Sequence, residues 1–405
     1  MRIVLAAEGT RGDLQPMIEL GVRLANAGHD AVLCGSSDFA AQAASRGVRF
    51  VSCGNSFRDF LAEHADVIDR HPARALTEGI RYLRQHFETR LAALLDLTRG
   101  VDLVVGAGAE MAASSAAEVN GAVYRYVAYC PAMFPSREHG PIFTPWQGLP
   151  GWVNRALWPL VIRPLTWSLR SVLGPARRRL GLDPRADMLS LLLGSRPLLA
   201  VDPSLGRAPA DVRFPVDQMA SLHPIDGEPL PAKLESFLEA GPPPVYLGFG
   251  SMPDPNPAGT TRTLVDAVTR VGCRAVIGAG WAELGDGPLP EGVLAIEAVS
   301  HPTLFPRCAA VVHHGGAGTT TTAARAGAPQ VVVPHIADQF YWARRVAQIG
   351  VAAPGIARRR LTSTGLAAAL ETILDNEIVS ERARDLGTQL RAEATASDPV
   401  RALLG

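Results

Sequence analysis

Two doubly wound α/β domains facing each other across a cleft are what this sequence predicts, and three observations carry the prediction. The chain has 405 residues, more than one compact core usually holds. Short apolar runs alternate with amphipathic stretches in two separate series, which is the pattern of parallel strands joined by helices. A proline-rich stretch from Pro203 to Pro244, closing with the triplet Pro242-Pro243-Pro244, lies between the two series.

In the first series, residues 2–7 are an apolar run that reads as a buried strand. A glycine-bearing loop follows, then an amphipathic helix with Met17, Leu20, Gly21 and Leu24 on one face and Pro16 in its first turn. Residues 31–33 and 48–51 read as strands around a helical stretch from Phe39, and 73–97 as a long helical region. Residues 101–105, 111–119 and 124–129 continue as strand, helix and strand. From about 131 to 185 proline, glycine and aromatic residues break the rhythm, so an irregular segment is expected; four of the six tryptophans, Trp146, Trp152, Trp158 and Trp167, fall in it. Residues 1–215 are assigned to the N-terminal domain and 216–244 to an interdomain linker. In the second series, 245–250, 274–277, 293–299, 309–313 and 330–334 read as strands, and 260–271, 319–326 and 338–349 as helices. Residues 245–378 form the C-terminal domain, and helices over 379–405 are expected to pack back on the N-terminal one. Loops at the carboxyl ends of both strand sets would border the cleft.

Composition removes several functions. Formal net charge is zero at pH 7 and no block of like charges stands out, so a nucleic-acid partner is not expected. The one lysine, Lys233, sits in Ala-Lys-Leu, which is neither a Walker-type loop nor a pyridoxal site. Five widely spaced cysteines without a Cys-x-x-Cys pair fit a reducing cytosol. The N-terminal apolar run is too short for a secretory signal, and no stretch reaches the ~20 residues of a bilayer span. A cytoplasmic protein without integral membrane association is the expectation.

The most informative segment is Val311-Val312-His313-His314-Gly315-Gly316-Ala317-Gly318-Thr319-Thr320-Thr321-Thr322. A strand runs into residues without bulky side chains and then into a hydroxyl-rich helix start, where backbone N–H groups and the helix dipole favour an anion. A tight turn with Thr319 as an ordinary cap accounts for each residue singly, but not for three glycines, four threonines and a histidine converging on one helix start. His314 would point a donor at a leaving diphosphate. The loop at 9–16 differs. It lacks Gly-x-Gly-x-x-Gly, and Asp13 beside the helix start is stabilised as carboxylate and would repel phosphate. This loop should meet an acceptor.

His314-Gly315-Gly316-Ala317-Gly318-Thr319, with Pro334, Asp338 and Gln339 downstream, resembles the donor signature of the family 1 glycosyltransferases. Residues 245–252, 301–306 and 9–16 resemble matching segments of the antibiotic-tailoring and sterol branch, so the likeness covers most of the chain. The resemblance implies the GT-B fold, with nucleotide held by the C-terminal domain and acceptor mainly by the N-terminal one. It implies diphosphate contacts from His314, Gly316, Gly318 and Thr319, with Ser251 near them, sugar contacts from Asp338 and Gln339, and a place near the nucleotide for His301. Helix capping for Asp338, a solvated first-turn position for Gln339 and a simple turn for His301 remain the alternatives.

An attacking hydroxyl must lose its proton to a group within about 3 Å. Asp13, within Gly-Asp-x-x-Pro, is the candidate general base; plain helix capping is its alternative, and Glu110 or His139 would share the work if a carboxylate held ionised proved too weak. Single displacement would invert the anomeric configuration. Asp-x-Asp is absent, so no metal and no cofactor is expected; the nucleotide sugar, UDP- or dTDP-linked, is a co-substrate. Adjacent His313 and His314 on a strand point to opposite faces and do not make a metal pair. A small hydrophobic hydroxyl-bearing acceptor would meet Thr10, Phe134, Phe143 and Trp146, with Trp152, Trp158 and Trp167 nearby, although ordinary packing serves each ring equally. Residues 152–173 set Arg163 and Arg170 among apolar residues, which also suits a membrane surface. The rival readings are a nucleotide-sugar epimerase of the same fold and a non-catalytic sugar-nucleotide or drug-binding protein.

Overall fold

The computed structural model describes residues 1–54, 56–70, 72–184 and 187–405, with the backbone alone for 69, 70, 72 and 73. The N-terminal sheet comprises β1 (Arg2–Glu8), β2 (Asp30–Gly35), β3 (Arg49–Ser52), β4 (Leu103–Gly108), β5 (Val123–Ala128), β6 (Leu198–Ala200) and β7 (Asp217–Met219). Its order is β3-β2-β1-β4-β5-β6-β7, and neighbours pair in parallel. The second sheet, β8 (Val245–Gly248), β9 (Ala275–Gly278), β10 (Val293–Ile296), β11 (Ala310–His313) and β12 (Gln330–Val332), has order β10-β9-β8-β11-β12, also parallel.

Strands covered on both faces must be apolar throughout, and alternate side chains must enter different cores. Along β1, Val4 and Ala6 join one cluster while Ile3, Leu5 and Ala7 join the other. In β8, Val245 and Leu247 face one core and Tyr246 the other. The first N-terminal cluster also takes in Trp342, Val346, Leu386 and Leu390, so apolar packing is continuous between the two halves.

Three expectations are corrected. The segment read as irregular is largely a helix, Gly151–Arg179, with Pro159, Pro164 and Pro175 inside it. Proline removes an amide and frees the carbonyl four residues earlier. Those carbonyls belong to Arg155, Leu160 and Ser171, all exposed, so water can satisfy them. The supposed linker is structured at both ends: β7 completes the N-terminal sheet, and the helix Ala232–Glu239 buries Leu234 and Leu238 with the second sheet's Tyr246 and Val276. Prolines mark ends of elements here rather than a free tether. Lastly, Cys34 and Cys53 are joined as a disulfide, because parallel pairing of β2 with β3 brings the ends of both strands together; Cys130, Cys273 and Cys308 are free.

Contacts join the last helices to the first half of the chain: Ser204 and Gln389 bond each other, Ser204 meets Glu393, and the Leu403 carbonyl accepts from Arg125 Nη1 at 3.1 Å. No helix among the described residues is long and apolar enough to cross a membrane.

Candidate active site

In an open parallel sheet the crevice lies where strand order reverses, which here means between β1 and β4 and between β8 and β11. The loops leaving these strands meet in one cavity of about 1580 Å³ lined by both halves of the chain. Glu8 to Asp13 and Gly108 border it from one side; Gly250, Ser251, His314 and Gly316 to Thr319 border it from the other.

Asp13 is the third residue of the helix Arg11–Asn26 and forms a capping box with Thr10. Its Oδ2 accepts from the Thr10 amide at 2.8 Å and from the Thr10 hydroxyl at 3.3 Å. The carboxyl is pressed against two glycines, Gly9 and Gly108. A Cβ on Gly9 would lie 2.2 Å from Oδ2 and one on Gly108 2.9 Å from Oδ1. Burial pushes the acid up to about 6, and the Thr10 hydrogen bonds only partly offset it. The expectation that the helix start keeps Asp13 a weakly basic carboxylate is therefore corrected: loss of water outweighs the hydrogen bonds that Thr10 supplies there. Capping does not withdraw the residue from the cavity: Oδ2 serves the cap and Asp13 still borders the open space.

Opposite stands the helix Ala317–Arg325, with Gly316 as its N-cap and no side-chain capping bond. Of its first amides, that of Ala317 donates to the Asp338 carboxyl, while those of Gly318 and Thr319 are left for a ligand. Thr320 and Thr322 return their hydroxyls to the Gly316 and Gly318 carbonyls at 3.0 and 2.9 Å, while Thr319 borders the cavity. Gly315 turns the chain at φ +92°, where a Cβ would strike Val332. At Gly316 a Cβ would lie 2.5 Å from His314 Nε2, and at Gly318 2.2 Å from His223 Nε2. These two glycines therefore admit two imidazoles beside the helix start.

Burial and the neighbouring His313, His335 and His301 hold His314 well below its ordinary value, so the ring is neutral, and its buried Nδ1 has no partner among the described residues. His313 points the other way. Its Nδ1 accepts from the Gly315 amide at 3.1 Å, leaving Nε2 to donate to Gln330 Oε1 at 2.9 Å. His223 was not foreseen, because it lies in the stretch read as linker. Its Nδ1 meets Ser221 Oγ at 2.9 Å, and burial, with the charges of Arg325 and Arg11, lowers it to about 3.

Asp338 occupies the N-cap position of the helix Gln339–Ile349 but makes no capping bond; its Oδ2 accepts from Trp342 Nε1 at 3.2 Å. Burial and then the charge of Asp13 raise it to about 7, so the two acids sense each other across the cavity. Ala337 just before it has φ +51°, strained for a residue with a side chain. Gln339 commits its carbonyl to the amides of His335 and Ile336 at 2.7 and 3.1 Å and donates from Nε2 to Met252 Sδ at 3.3 Å, so it braces this loop and has one amide hydrogen left for a ligand. Ser251 is buried at the cavity edge. His301 stacks on Phe305 and meets Tyr246 Oη at 3.2 Å, also at the edge.

Of the acceptor candidates, Thr10 and Phe143 border the cavity. Phe134 does not: it is fully buried and packs edge-on to Phe214. Trp146 is 60 % exposed and lies off the cavity, as do Trp152 and Trp167, whereas Trp158 lines it. The apolar wall comes instead from Phe57, Phe60, Tyr82, Ile162, Leu165 and Leu169, whose helical periodicity gave no sign of a ligand. Glu110 is clamped by Arg90 and by the Ala112 amide at 2.8 Å, and His139 packs against Trp158 and Tyr341; neither borders the cavity, so neither assists Asp13.

Two parallel α/β sheets meeting at their switch points, with a bare helix start opposite an acid, define the GT-B class of transferase. The C-terminal part, residues 262–403, matches the family model described as the erythromycin biosynthesis protein CIII-like C-terminal domain. The vancomycin aglycone glucosyltransferase of Amycolatopsis orientalis is 36% identical over 98% of this chain and 95% of its own. The sterol 3-beta-glucosyltransferase UGT80B1 of Arabidopsis thaliana is 29% identical over 94% of this chain and 64% of its own. Among solved structures, the glycosyltransferase VinC in complex with dTDP superposes with a TM-score of 0.67 at 25% identity, covering 97% and 96% of the two chains. The chain belongs to the antibiotic and sterol glycosyltransferase family. It is a glycosyltransferase, and the epimerase and binding-protein readings fall away.

Proposed function

We propose that the protein moves a hexose from a UDP- or dTDP-linked donor to a hydroxyl of a small hydrophobic acceptor such as a polyketide, macrolide, glycopeptide aglycone or sterol. One observation carries the reading: Asp13 and the uncapped start of Ala317–Arg325 border the same cavity from opposite domains. The acceptor O–H proton passes to Asp13 as its oxygen bonds to the anomeric carbon. The bond from that carbon to the diphosphate oxygen breaks, and the departing charge meets the amides of Gly318 and Thr319 with His314 and His223 beside them. Entry and departure on opposite faces of the sugar invert the configuration. Asp338 and the Gln339 amide would hold sugar hydroxyls.

The transfer is proposed to need neither metal nor cofactor, since the helix start supplies the positive potential. Relatives named for a vancomycin aglycone and for a sterol, and a neighbour holding dTDP, support the substrate classes. A mass-shift screen of UDP- and dTDP-sugars against hydrophobic alcohols and phenols tests the proposal. A hexose-sized gain on one acceptor is expected without added metal and after chelation; a product seen only with a divalent ion would reject that part of it, and no product from any pair would reject the substrate assignment.

A further inference from the structure

The helix Gly151–Arg179 has two different faces. Trp158, Ile162, Leu165 and Leu169 turn inward and line the cavity. Outward, at steps of three and four residues, stand Trp152, Ala156, Leu160, Arg163, Trp167 and Arg170, all exposed. Trp152 and Trp167 are each 76 % exposed and Leu160 68 %, which is unusual for side chains of this size.

Charge on this segment is one-sided. Between Glu138 and Asp183 the sequence holds no acidic residue but six arginines, although the whole chain is neutral. Arg177 pairs with Glu118 and Arg179 with Glu88. Arg155, Arg163, Arg170 and Arg178 are exposed and have no carboxylate partner among the described residues. A second cavity, of about 690 Å³, opens on this side, where Arg84, Arg170 and Arg178 converge with Trp167 and Ser171. Three arginines and, among the described residues, no acid line this hollow, which favours an anion there.

We propose that this outer face is a docking surface for a bilayer containing anionic phospholipid, with the arginine hollow taking a headgroup phosphate. Tryptophan prefers the depth where acyl chains meet headgroups, and a helix with Trp and Leu between arginines and without acids lies in that plane. A helix of 29 residues spans about 44 Å, long enough to lie flat along the surface. The carbonyls released by Pro159, Pro164 and Pro175 also suit this depth, where water and headgroups reach them. Docked in this way, the chain would hold one wall of its acceptor chamber against lipid, which favours an acceptor dissolved in the bilayer. That last step alone rests on the transferase reading; docking itself does not.

The test is flotation of the full chain with vesicles of phosphatidylcholine, alone or mixed with phosphatidylglycerol. Recovery with the mixed vesicles only, falling as salt rises, is expected. Reversing both arginines in Arg163→Glu/Arg170→Glu should weaken binding by roughly tenfold or more, with transfer to a water-soluble acceptor unchanged. In the unsubstituted protein, brominated lipid in the mixed vesicles should quench tryptophan fluorescence, and Trp152→Phe/Trp167→Phe should remove most of the quenching. Equal recovery with both vesicle types, absence of quenching, or binding untouched by charge reversal would overturn the proposal. So would self-association in sedimentation that the same substitutions abolish, which would make the face a contact between copies. Vesicle binding is read without turnover, so its failure is distinct from failure of the proposed reaction.

Discussion

At the scale of single residues, the site rests on groups whose proton affinity the fold has moved. Asp13→Asn keeps the Thr10 contacts and removes proton acceptance, so kcat should fall by about 10²–10⁴, while diphosphate affinity by calorimetry stays within about twofold. Undiminished turnover would remove Asp13 from the mechanism. Because the acid sits at about 6 when buried, kcat/KM should climb as pH rises through about 6 and level off above it; a limb near the ordinary aspartate value would show that the acid is not desolvated. Linkage has the opposite sign. The folded state holds the Asp13 proton more tightly than the unfolded chain, so this group's contribution to stability is present below its unfolded value and is lost as pH rises through about 6. Asp13→Asn should therefore gain in unfolding midpoint over the unsubstituted protein as pH rises across that window. His314→Ala should weaken binding of free diphosphate about tenfold, the scale of one or two lost hydrogen bonds; unchanged affinity would take the ring out of the site.

At the scale of elements, the helix Ala317–Arg325 was the most legible part of the sequence. Its glycines are needed for close approach, and the approach is visible as residue types: small where a backbone must meet an anion or a ring. What the sequence concealed was the approaching group. His223 comes from another part of the chain, and nothing local to Ser221-Leu222-His223-Pro224 signals that it will lie over Gly318. Gly318→Ala places a methyl against that ring, so diphosphate affinity should drop several-fold with little change in thermal midpoint. In a His223→Ala background the same substitution should cost far less, the coupling being what a double-mutant cycle isolates; equal losses in both backgrounds would separate the two residues. The helix Gly151–Arg179 failed to show itself because three prolines ordinarily end helices, and tolerance depends on which face they occupy. The same face-dependence misplaced the aromatics. Their place in the irregular segment, where the family's members shape an acceptor pocket, put Phe134 and Trp146 near an aglycone, but only packing decides that one is core and the other solvent-facing.

At the scale of the molecule, two parallel sheets with helices between their strands followed from alternation alone, whereas strand order and the join between the halves did not. Asp202, beyond β6, is fully buried, and Arg325, at the far end of the helix Ala317–Arg325, grips it with Nε and Nη2 at 2.8 and 2.7 Å. The same guanidinium donates to the carbonyls of His223 and Ser221 at 2.6 and 3.0 Å. Arg325→Ala would leave a buried carboxylate unpaired, and a loss of about 3–5 kcal/mol in urea unfolding is expected. A loss under about 1 kcal/mol would mean that water replaces the arginine and that the pair does not tie the halves together.

The tie fixes one end of a helix whose other end, in the proposed reaction, faces the leaving group. Nine residues make an arm of roughly 13 Å, so turning about the anchored end by about ten degrees sweeps the free tip by roughly 2 Å. Hydrogen bonds do not stretch that far. Any parting of the lobes that pivots on Arg325 would pull the amides off the spent nucleotide in the same movement, making product escape a matter of leverage.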